Sequence, residues 1–512
     1  MAVPWWKSTV VYQVYPRSFA DGSGDGIGDL PGLLDHLDHL AWLGVGALWL
    51  SPVYRSPMAD FGYDVADHCA VDPVFGTLAD LDAVIAAAHE RGLRVMLDWV
   101  PNHTSDEHPW FVESRSSRTS DKRDWYVWRD SPPGGGPPNN WLSNFTDRSP
   151  AWTRDETTGQ WYLHCYLPQQ PDLNWDNPAV EAAMHDVLRF WLDRGVDGFR
   201  ADVVHLIGKE LDRDDDPRHV ANGIPHTPLN DVAVTHERIR RIRRLLDRYP
   251  SEPPMVGEVW LLSTRRMATY YGQGDELHMS FNFPFVFAPW EAGALHERID
   301  RTRAELDPID AWPTWVLSNH DNPRVRTRYG GTLDRARAAA VLLLTLRGTP
   351  FLYQGDELGL LDAEVPVGAR VDPGGRDGCR APMPWTAEPP HGWPSGTWLP
   401  FGPDPAGTSV TAQESDPDSM LHLHRRLLHE RRSSAALSHG SFAWLPAPEG
   451  VLAYERREGE DRRWVLVNTL SDRIDAVLPG LGTVVVATEK GVEQHPYSGY
   501  LGPDGAVVVR PS

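Results

Sequence analysis

From residue 10 to about residue 432 strand-like and helix-like segments alternate, and this alternation confines the chain to a parallel-sheet architecture. Val10-Val11-Tyr12-Gln13-Val14-Tyr15 reads as a first strand. Leu30, Leu33, Leu34, Leu37, Leu40 and Ala41 then recur at helical spacing. A second strand over 46–51, a helix over 78–91 stopped by Gly92, and a third strand over 94–100 follow. Helices are predicted over 179–194, 233–248, 333–347 and 419–432, and strands over 196–202, 255–260, 278–283, 313–319 and 350–355. The segment 285–305 is less clearly helical. Eight strands alternating with helices predict a (β/α)8 TIM barrel.

Two features bound the domains. Residues 101–171 are rich in Trp, Pro, Asp, Asn and Ser, too long for a connector, and read as an excursion subdomain after strand three. From about residue 438 short alternating strands replace the helical pattern. The expected division is a barrel over 1–100 and 172–435, the excursion over 101–171, and a C-terminal antiparallel β-sandwich domain over 436–512. A Pro/Gly-rich stretch over 361–416 reads as a second long loop.

The formal charge of −22 argues against nucleic acid and anionic membranes as partners. Three cysteines, Cys69, Cys165 and Cys379, make no disulfide framework and fit a reducing compartment. The N-terminus lacks the apolar core of a signal peptide, and no uncharged apolar run reaches 18 residues. A soluble, cytoplasmic protein is the expectation; oligomeric state is left open. Asp214-Asp215-Asp216 reads as a solvated loop, and the basic run Arg238 to Arg244 as an exposed helix face.

Three of the predicted strands end in an acid: Asp202, Glu258 and Asp321. Strand C-termini of a barrel converge on one mouth, and paired carboxylates at such a mouth are the equipment for breaking a glycosidic bond. Arg200 lies two residues before Asp202 and so shares its face. An adjacent guanidinium favours the ionised carboxylate, which suits Asp202 as nucleophile. Glu258 follows Val256 and precedes Val259 and Trp260, an apolar setting that would raise its pKa and suit a general acid/base. Asp321 and His320 could grip sugar hydroxyls.

These segments carry a resemblance. Asp98-Trp99-Val100-Pro101-Asn102-His103-Thr104, Gly198-Phe199-Arg200-Ala201-Asp202, Gly257-Glu258-Val259-Trp260 and Ser318-Asn319-His320-Asp321-Asn322-Pro323-Arg324 resemble the four motifs of the α-amylase family of glycoside hydrolases, family thirteen. Gln170-Pro171-Asp172-Leu173-Asn174-Trp175 resembles the extra motif that ends the excursion domain. The resemblance implies Asp202 as nucleophile, Glu258 as acid/base and Asp321 as transition-state stabiliser, with His103, Arg200 and His320 binding the sugar. Asp21 to Leu30, Gly62-Tyr63-Asp64-Val65, Ile207-Gly208-Lys209 and Arg380 to Trp385 resemble the oligo-1,6-glucosidase and α-glucosidase branch. That branch implies removal of one glucose from the non-reducing end of short α-glucosides. Tyr63 would stack on the glucose, and Asp60 and Arg380 would bind its 4- and 6-hydroxyls. Val203 resembles members that accept α-1,6 links. His205 and Leu206 stand where longer-acting amylases carry Lys-His, which argues against endo-action on starch. The same catalytic set would also serve a transglucosidase, or a sugar isomerase forming trehalose or a sucrose isomer.

Asp21, Ser23, Asp25 and Asp29 supply oxygens at positions one, three, five and nine of a loop with Gly26 at six. That imitates the start of an EF-hand, but position twelve is Gly32 rather than Glu. With the Ile27 carbonyl, this oxygen set predicts a structural calcium ion, or magnesium second.

Overall fold

A computed structural model describes residues 3–145, 149–221 and 231–512. Its centre is an eight-stranded sheet of β1 (Val11–Val14), β2 (Ala47–Leu50), β3 (Arg94–Trp99), β4 (Gly198–Ala201), β5 (Met255–Gly257), β6 (Met279–Ser280), β7 (Thr314–Val316) and β8 (Thr349–Tyr353). Spatial order is β6-β5-β4-β3-β2-β1-β8-β7, and every pairing is parallel. The two end strands are spanned by a side chain: Thr314 Oγ1 donates to the Ser280 carbonyl at 2.5 Å. The sheet is the wall of a nearly closed TIM barrel.

Strand alternation sorts the residues into two populations. Val11, Ala47, Trp49, Met96, Val256, Met279, Val316 and Phe351 pack together inside the barrel. Their neighbours Tyr12, Leu48, Leu50, Val95, Leu97 and Leu352 join the larger core beneath the helices. Helix formation follows local signals. The helix Leu78–Glu90 starts with a capping box of Thr77 and Asp80. The helix Pro178–Asp193 starts with Asn177 as cap and Pro178 at its first position, and buries Val180, Met184, Val187, Leu188 and Trp191 along one face.

Several boundaries differ from expectation. The first helix breaks at His36 into Leu30–Asp35 and Leu37–Leu43, the second part stopped by Gly44 at φ 101°. The strand expected over 278–283 pairs only at Met279–Ser280, because Asn282 caps a short helix at Phe283–Val286. The unclear segment contains the helix Ala292–Leu306. Asp215 is buried, its N–H bonded to Asn140, so the acidic run is not wholly solvated. The basic helix face is also paired rather than free. Arg238 is buried on the Ile207 carbonyl and Asp176, and Arg241 holds Glu181.

Within the excursion, Trp128–Arg129, Trp152–Arg154 and Trp161–Leu163 form a small antiparallel sheet. Beyond the barrel, Ser441–Trp444, Val451–Glu458, Asp461–Asn468, Gly482–Ala487 and Ala506–Pro511 form a five-stranded antiparallel sheet, with a two-stranded ribbon of Ile474–Asp475 and Tyr500–Leu501 beside it. Arg456 and Tyr454 of this sheet bond Thr345 of a barrel helix. No described helix is long and apolar enough to cross a membrane.

Candidate active site

The inward-facing register of the barrel continues upward into polar groups: Gln13 on β1, Asp98 on β3, Arg200 on β4, then Asp202 and Glu258 just beyond β4 and β5. Glu258 is delivered there by Gly257. A Cβ at Gly257 would stand 2.4 Å from Leu277 Cδ1 and 3.1 Å from Val204 Cγ1, so a larger residue here would have to displace the Leu277 side chain.

Arg200 is fully buried and organises the floor. Nη1 donates to Asp98 Oδ1 at 2.6 Å and to Asp202 Oδ1 at 2.7 Å, and Nη2 donates to Glu258. One guanidinium therefore ties three carboxylates together. Asp98 also accepts from Trp49 Nε1 and Tyr63 Oη, both at 3.1 Å. Burial pushes the Asp98 carboxyl up to about 6, with Arg200 opposing the rise. Burial also drives Asp202 well above the ordinary carboxylate range. Arg200 opposes this, and Glu258, Asp98 and Asp321 reinforce it. The expectation that Arg200 keeps Asp202 ionised thus holds only as an opposing force, because the same guanidinium is divided among three acids. The apolar setting expected around Glu258 is corrected as well. Val256 and Val259 turn into the two cores, while the carboxylate meets Arg200 and the Val203 N–H at 3.2 Å.

Val203 has φ 34° and ψ 40°, a left-handed conformation that β-branched residues avoid. It turns the chain sharply after Asp202 and brings its N–H to Glu258.

His320 and Asp321 follow β7. Gln13 Nε2 donates to His320 Nδ1 at 2.7 Å, leaving Nε2 to face Tyr63 Oη at 2.7 Å and Asp321 Oδ2 at 3.2 Å. Burial lowers His320 to about 3, so the ring is neutral near pH 7. Tyr63 stacks on it, centroids 5.4 Å apart and planes within 8°. Burial disfavours the Asp321 anion, yet His320, Arg376, Arg380 and Arg200 outweigh burial and hold the acid below its usual range. Because His320 is itself neutral, the arginines carry that effect.

Arg376 is the residue that sequence reasoning missed. It bonds Asp60 at 2.5 Å, Asp321 Oδ1 at 3.0 Å and Asp372 at 2.7 and 2.9 Å. Asp60 and Arg380, both expected at the glucose 4- and 6-hydroxyls, lie in the same charged cluster, where Asp60 pairs with Arg376. Arg380 lies fully buried one layer deeper, bonded to the His320 carbonyl at 2.9 Å, Asp321 at 3.1 Å and Asp372 at 3.2 Å. Nothing local marks Arg376 in the sequence, since it sits in the Pro/Gly-rich loop and reaches the site only by folding back. Gln170 completes the inner end, its Nε2 3.0 Å from Asp60 Oδ2 and 3.1 Å from His103 Nε2.

These groups line one cavity of about 570 Å³. Asp60, Tyr63, His103, Asp202, Glu258 and Asp321 all face it, and Arg376 stands at its inner end. Arg200, His320 and Arg380 support it from beneath. The volume suits a small ligand with one charged, hydrogen-bonding end.

The 21–29 loop is a closed turn. Asp21 accepts backbone N–H groups of Gly24, Asp25 and Gly26, and Asp29 those of Gly22, Ser23 and Gly32, the last capping a helix. Asp25 accepts from the Ile27 N–H. Ser23 Oγ donates to Asp21 Oδ1 at 3.3 Å. Among the described residues no group of three His, Cys, Asp or Glu side chains converges as a metal centre.

Residues 13–440 match the alpha amylase catalytic domain. A probable α-glucosidase of Rhizobium meliloti is 42% identical over 510 residues, covering 93% of this chain and 91% of the relative. An oligo-1,6-glucosidase of Halalkalibacterium halodurans is 37% identical over 515 residues, covering 89% of each. Among solved structures, an α-glucosyl transfer enzyme superposes with a TM-score of 0.92 at 40% identity over the whole of both chains. The trehalulose synthase of Pseudomonas mesoacidophila gives 0.91 at 31% identity, again over both whole chains. The chain belongs to the α-amylase family and is a glycoside hydrolase.

Proposed function

We propose that the protein is a retaining, exo-acting α-glucosidase that releases α-glucose from the non-reducing end of short α-1,4- or α-1,6-glucosides. The observation that carries this is the joining of Asp202 and Glu258 by one buried guanidinium at the wall of a single cavity. In this reading Asp202 attacks the anomeric carbon while Glu258 gives its proton to the leaving oxygen. A glucosyl–Asp202 ester forms with inversion, and Glu258 then takes a proton from water, which attacks the same carbon from the other side. Two inversions return the α-anomer. Asp321 and His103, which face the cavity, bind and distort the ring, and Arg200 and His320 hold the acids in place from beneath. Exo action is supported by the inner end, where Arg376 bridges Asp60, Asp321 and Asp372.

Proton NMR of isomaltose and maltose hydrolysis tests this. Initial release of α-glucose is expected. Initial β-glucose, or rapid internal cleavage of starch, refutes it.

A second reading keeps the intermediate and replaces water by a sugar acceptor. It is favoured by the likeness to an α-glucosyl transfer enzyme and to trehalulose synthase. Products from sucrose and maltose at low concentration separate the two: free glucose favours hydrolysis, and new disaccharides favour transfer.

Calcium, or magnesium second, bound by Asp21, Ser23, Asp25, Asp29 and the Ile27 carbonyl is the structural part of the proposal. The oxygens of Asp21 and Asp29 already hold the turn, so the ion would reinforce it. A cytoplasmic setting is proposed with it, since Cys69, Cys165 and Cys379 are all unpaired.

A further inference from the structure

Asp60 and Tyr63, which both face the cavity, are the two ends of one turn: the Tyr63 N–H donates to the Asp60 carbonyl at 3.1 Å. The two residues between them both have positive φ, Phe61 at 47° and Gly62 at 108°. That is the signature of a mirror-image β-turn, for which Asn-Gly or Asp-Gly is the favoured pair. Glycine adopts this backbone freely. A bulky aromatic residue there is an outlier, and it persists only where its surroundings over-determine it. Met58, two residues before Asp60, is left-handed as well, at 66°. The segment that carries two cavity residues is therefore held in a conformation its own side chains disfavour.

Two clamps hold it. The first is Asp64, which is fully buried and does not line the cavity. Its Oδ1 accepts from Ser56 Oγ and from the Asp60 N–H, both at 2.9 Å, and its Oδ2 accepts from the Ala59 N–H at 2.8 Å. Among the described residues no Lys, Arg or His forms an ion pair with it, and burial pushes its carboxyl up to about 6 against the pull of those three hydrogen bonds. A buried charge is costly without partners, and every partner of this one lies in the segment leading into the turn. The second clamp is on the Phe61 ring. It lies 5.3 Å from the Trp398 ring and 5.5 Å from the Arg17 guanidinium, which itself stands 5.2 Å over Trp398. Trp398 is fixed in turn by its Nε1, which donates to Ser18 Oγ at 2.9 Å. We infer that Asp64 is a positioning residue: with the clamped Phe61 ring it keeps the Asp60–Tyr63 turn in its disfavoured form, and so sets how strictly the enzyme demands the sugar hydroxyl that Asp60 binds. This rests on the proposed α-glucosidase reading, in which that hydroxyl is the glucose 4-hydroxyl, and adds the residues that aim Asp60 at it. An amide in place of the Asp64 carboxylate sets an NH2 group against a backbone N–H, and the turn loses an anchor.

The test compares kcat/KM for p-nitrophenyl α-glucoside with that for its 4-deoxy analogue. Their ratio does not depend on how much of a variant is folded, so a purely structural loss leaves it unmoved. The native enzyme should prefer the intact sugar by roughly 10- to 100-fold, the worth of a hydrogen bond to a charged group. Asp60→Ala should abolish the preference. Asp64→Asn and Phe61→Ala should each cut it by about fivefold or more, whereas Phe61→Tyr, which keeps the ring, should hold it within about twofold. A native ratio in Asp64→Asn, or in Phe61→Ala should Asp64→Asn not fold, overturns the positioning role and leaves the α-glucosidase reading standing. A native ratio in Asp60→Ala overturns Asp60 as a glucose contact and the positioning role with it. Failure of the native enzyme to cleave any α-glucoside overturns the α-glucosidase reading itself.

Discussion

Arg376→Met would remove the one guanidinium that touches Asp60, Asp321 and Asp372 at once, while keeping a flexible apolar stem of similar length. The three acids do not lose all support. Asp60 retains Gln170 at 3.0 Å, and Asp321 and Asp372 retain Arg380 at 3.1 and 3.2 Å. Breaking a buried pair from one side costs about 3–5 kcal/mol. The surviving partners, and an Arg376 side chain that is 15% exposed, place this case at the lower end, about 3 kcal/mol. That is a folding cost, read as a lower Tm; kcat/KM on isomaltose should fall besides, roughly tenfold to a hundredfold, because Asp60 and Asp321 lose the cation that fixes them at the cavity. The pH profile should move with it. Asp321 has a depressed pKa in the folded protein, so its contribution is present above the ordinary carboxylate pKa and is lost as pH falls through the depressed value. Removing Arg376 raises that value, and the acid limb of the activity profile moves to higher pH. Full kinetics across pH 3–8 on native and variant protein check both effects. Activity within about threefold of native and an unmoved acid limb would refute the assignment of Arg376 as the cation that closes the inner end.

Asp202→Asn should lower kcat roughly 10⁴-fold or more and yet raise Tm, because it removes one of the carboxylates crowded around Arg200 and with it a buried charge that burial already disfavours. Thermal melts at pH 7 check the sign. His236 is disfavoured as a cation by burial, but hydrogen bonds to Asp231 and Glu276 prevail and raise it to about 9. A raised pKa means stability fully present below about 6.5 and lost as pH rises through about 9. His236→Gln should therefore cost about 1 kcal/mol near pH 6 after solvent screening and flatten the alkaline fall in stability, measured by denaturant titration at pH 6 and pH 10. Gly257→Ala should destabilise by about 1–3 kcal/mol through the Leu277 clash, with reduced kcat from a displaced Glu258, as a melt and a single-turnover assay would show. Added calcium should raise Tm and chelator lower it; a Tm indifferent to both would leave the 21–29 loop as a turn closed by its own aspartates.

Much of the barrel was legible because its signals are local. The alternation of strand and helix, the period-two sorting of Val11 from Tyr12 or Met96 from Leu97, and the caps at Thr77 and Asn177 all lie within a few residues of what they specify. The acids Asp202, Glu258 and Asp321 could be found for the same reason: strand ends converge in any barrel, whatever the loops do. The strand boundaries around Asn282 were missed where a capping side chain competed with the sheet for the same backbone, and the capping amide is itself bonded to Thr302, 20 residues away.

The sequence by itself therefore determined the parallel barrel, the three acids at its mouth and the family that carries them, since each follows from periodicity or from contiguous motifs. Only the tertiary structure decided who pairs with whom there. Arg376 rather than Arg380 holds Asp60, 316 residues away, and Arg200 is divided among three carboxylates instead of serving Asp202 alone. Pairing among buried charges is settled by which groups the fold brings within about 3 Å, and desolvation makes those last ångströms decisive. No spacing along a chain encodes such a distance.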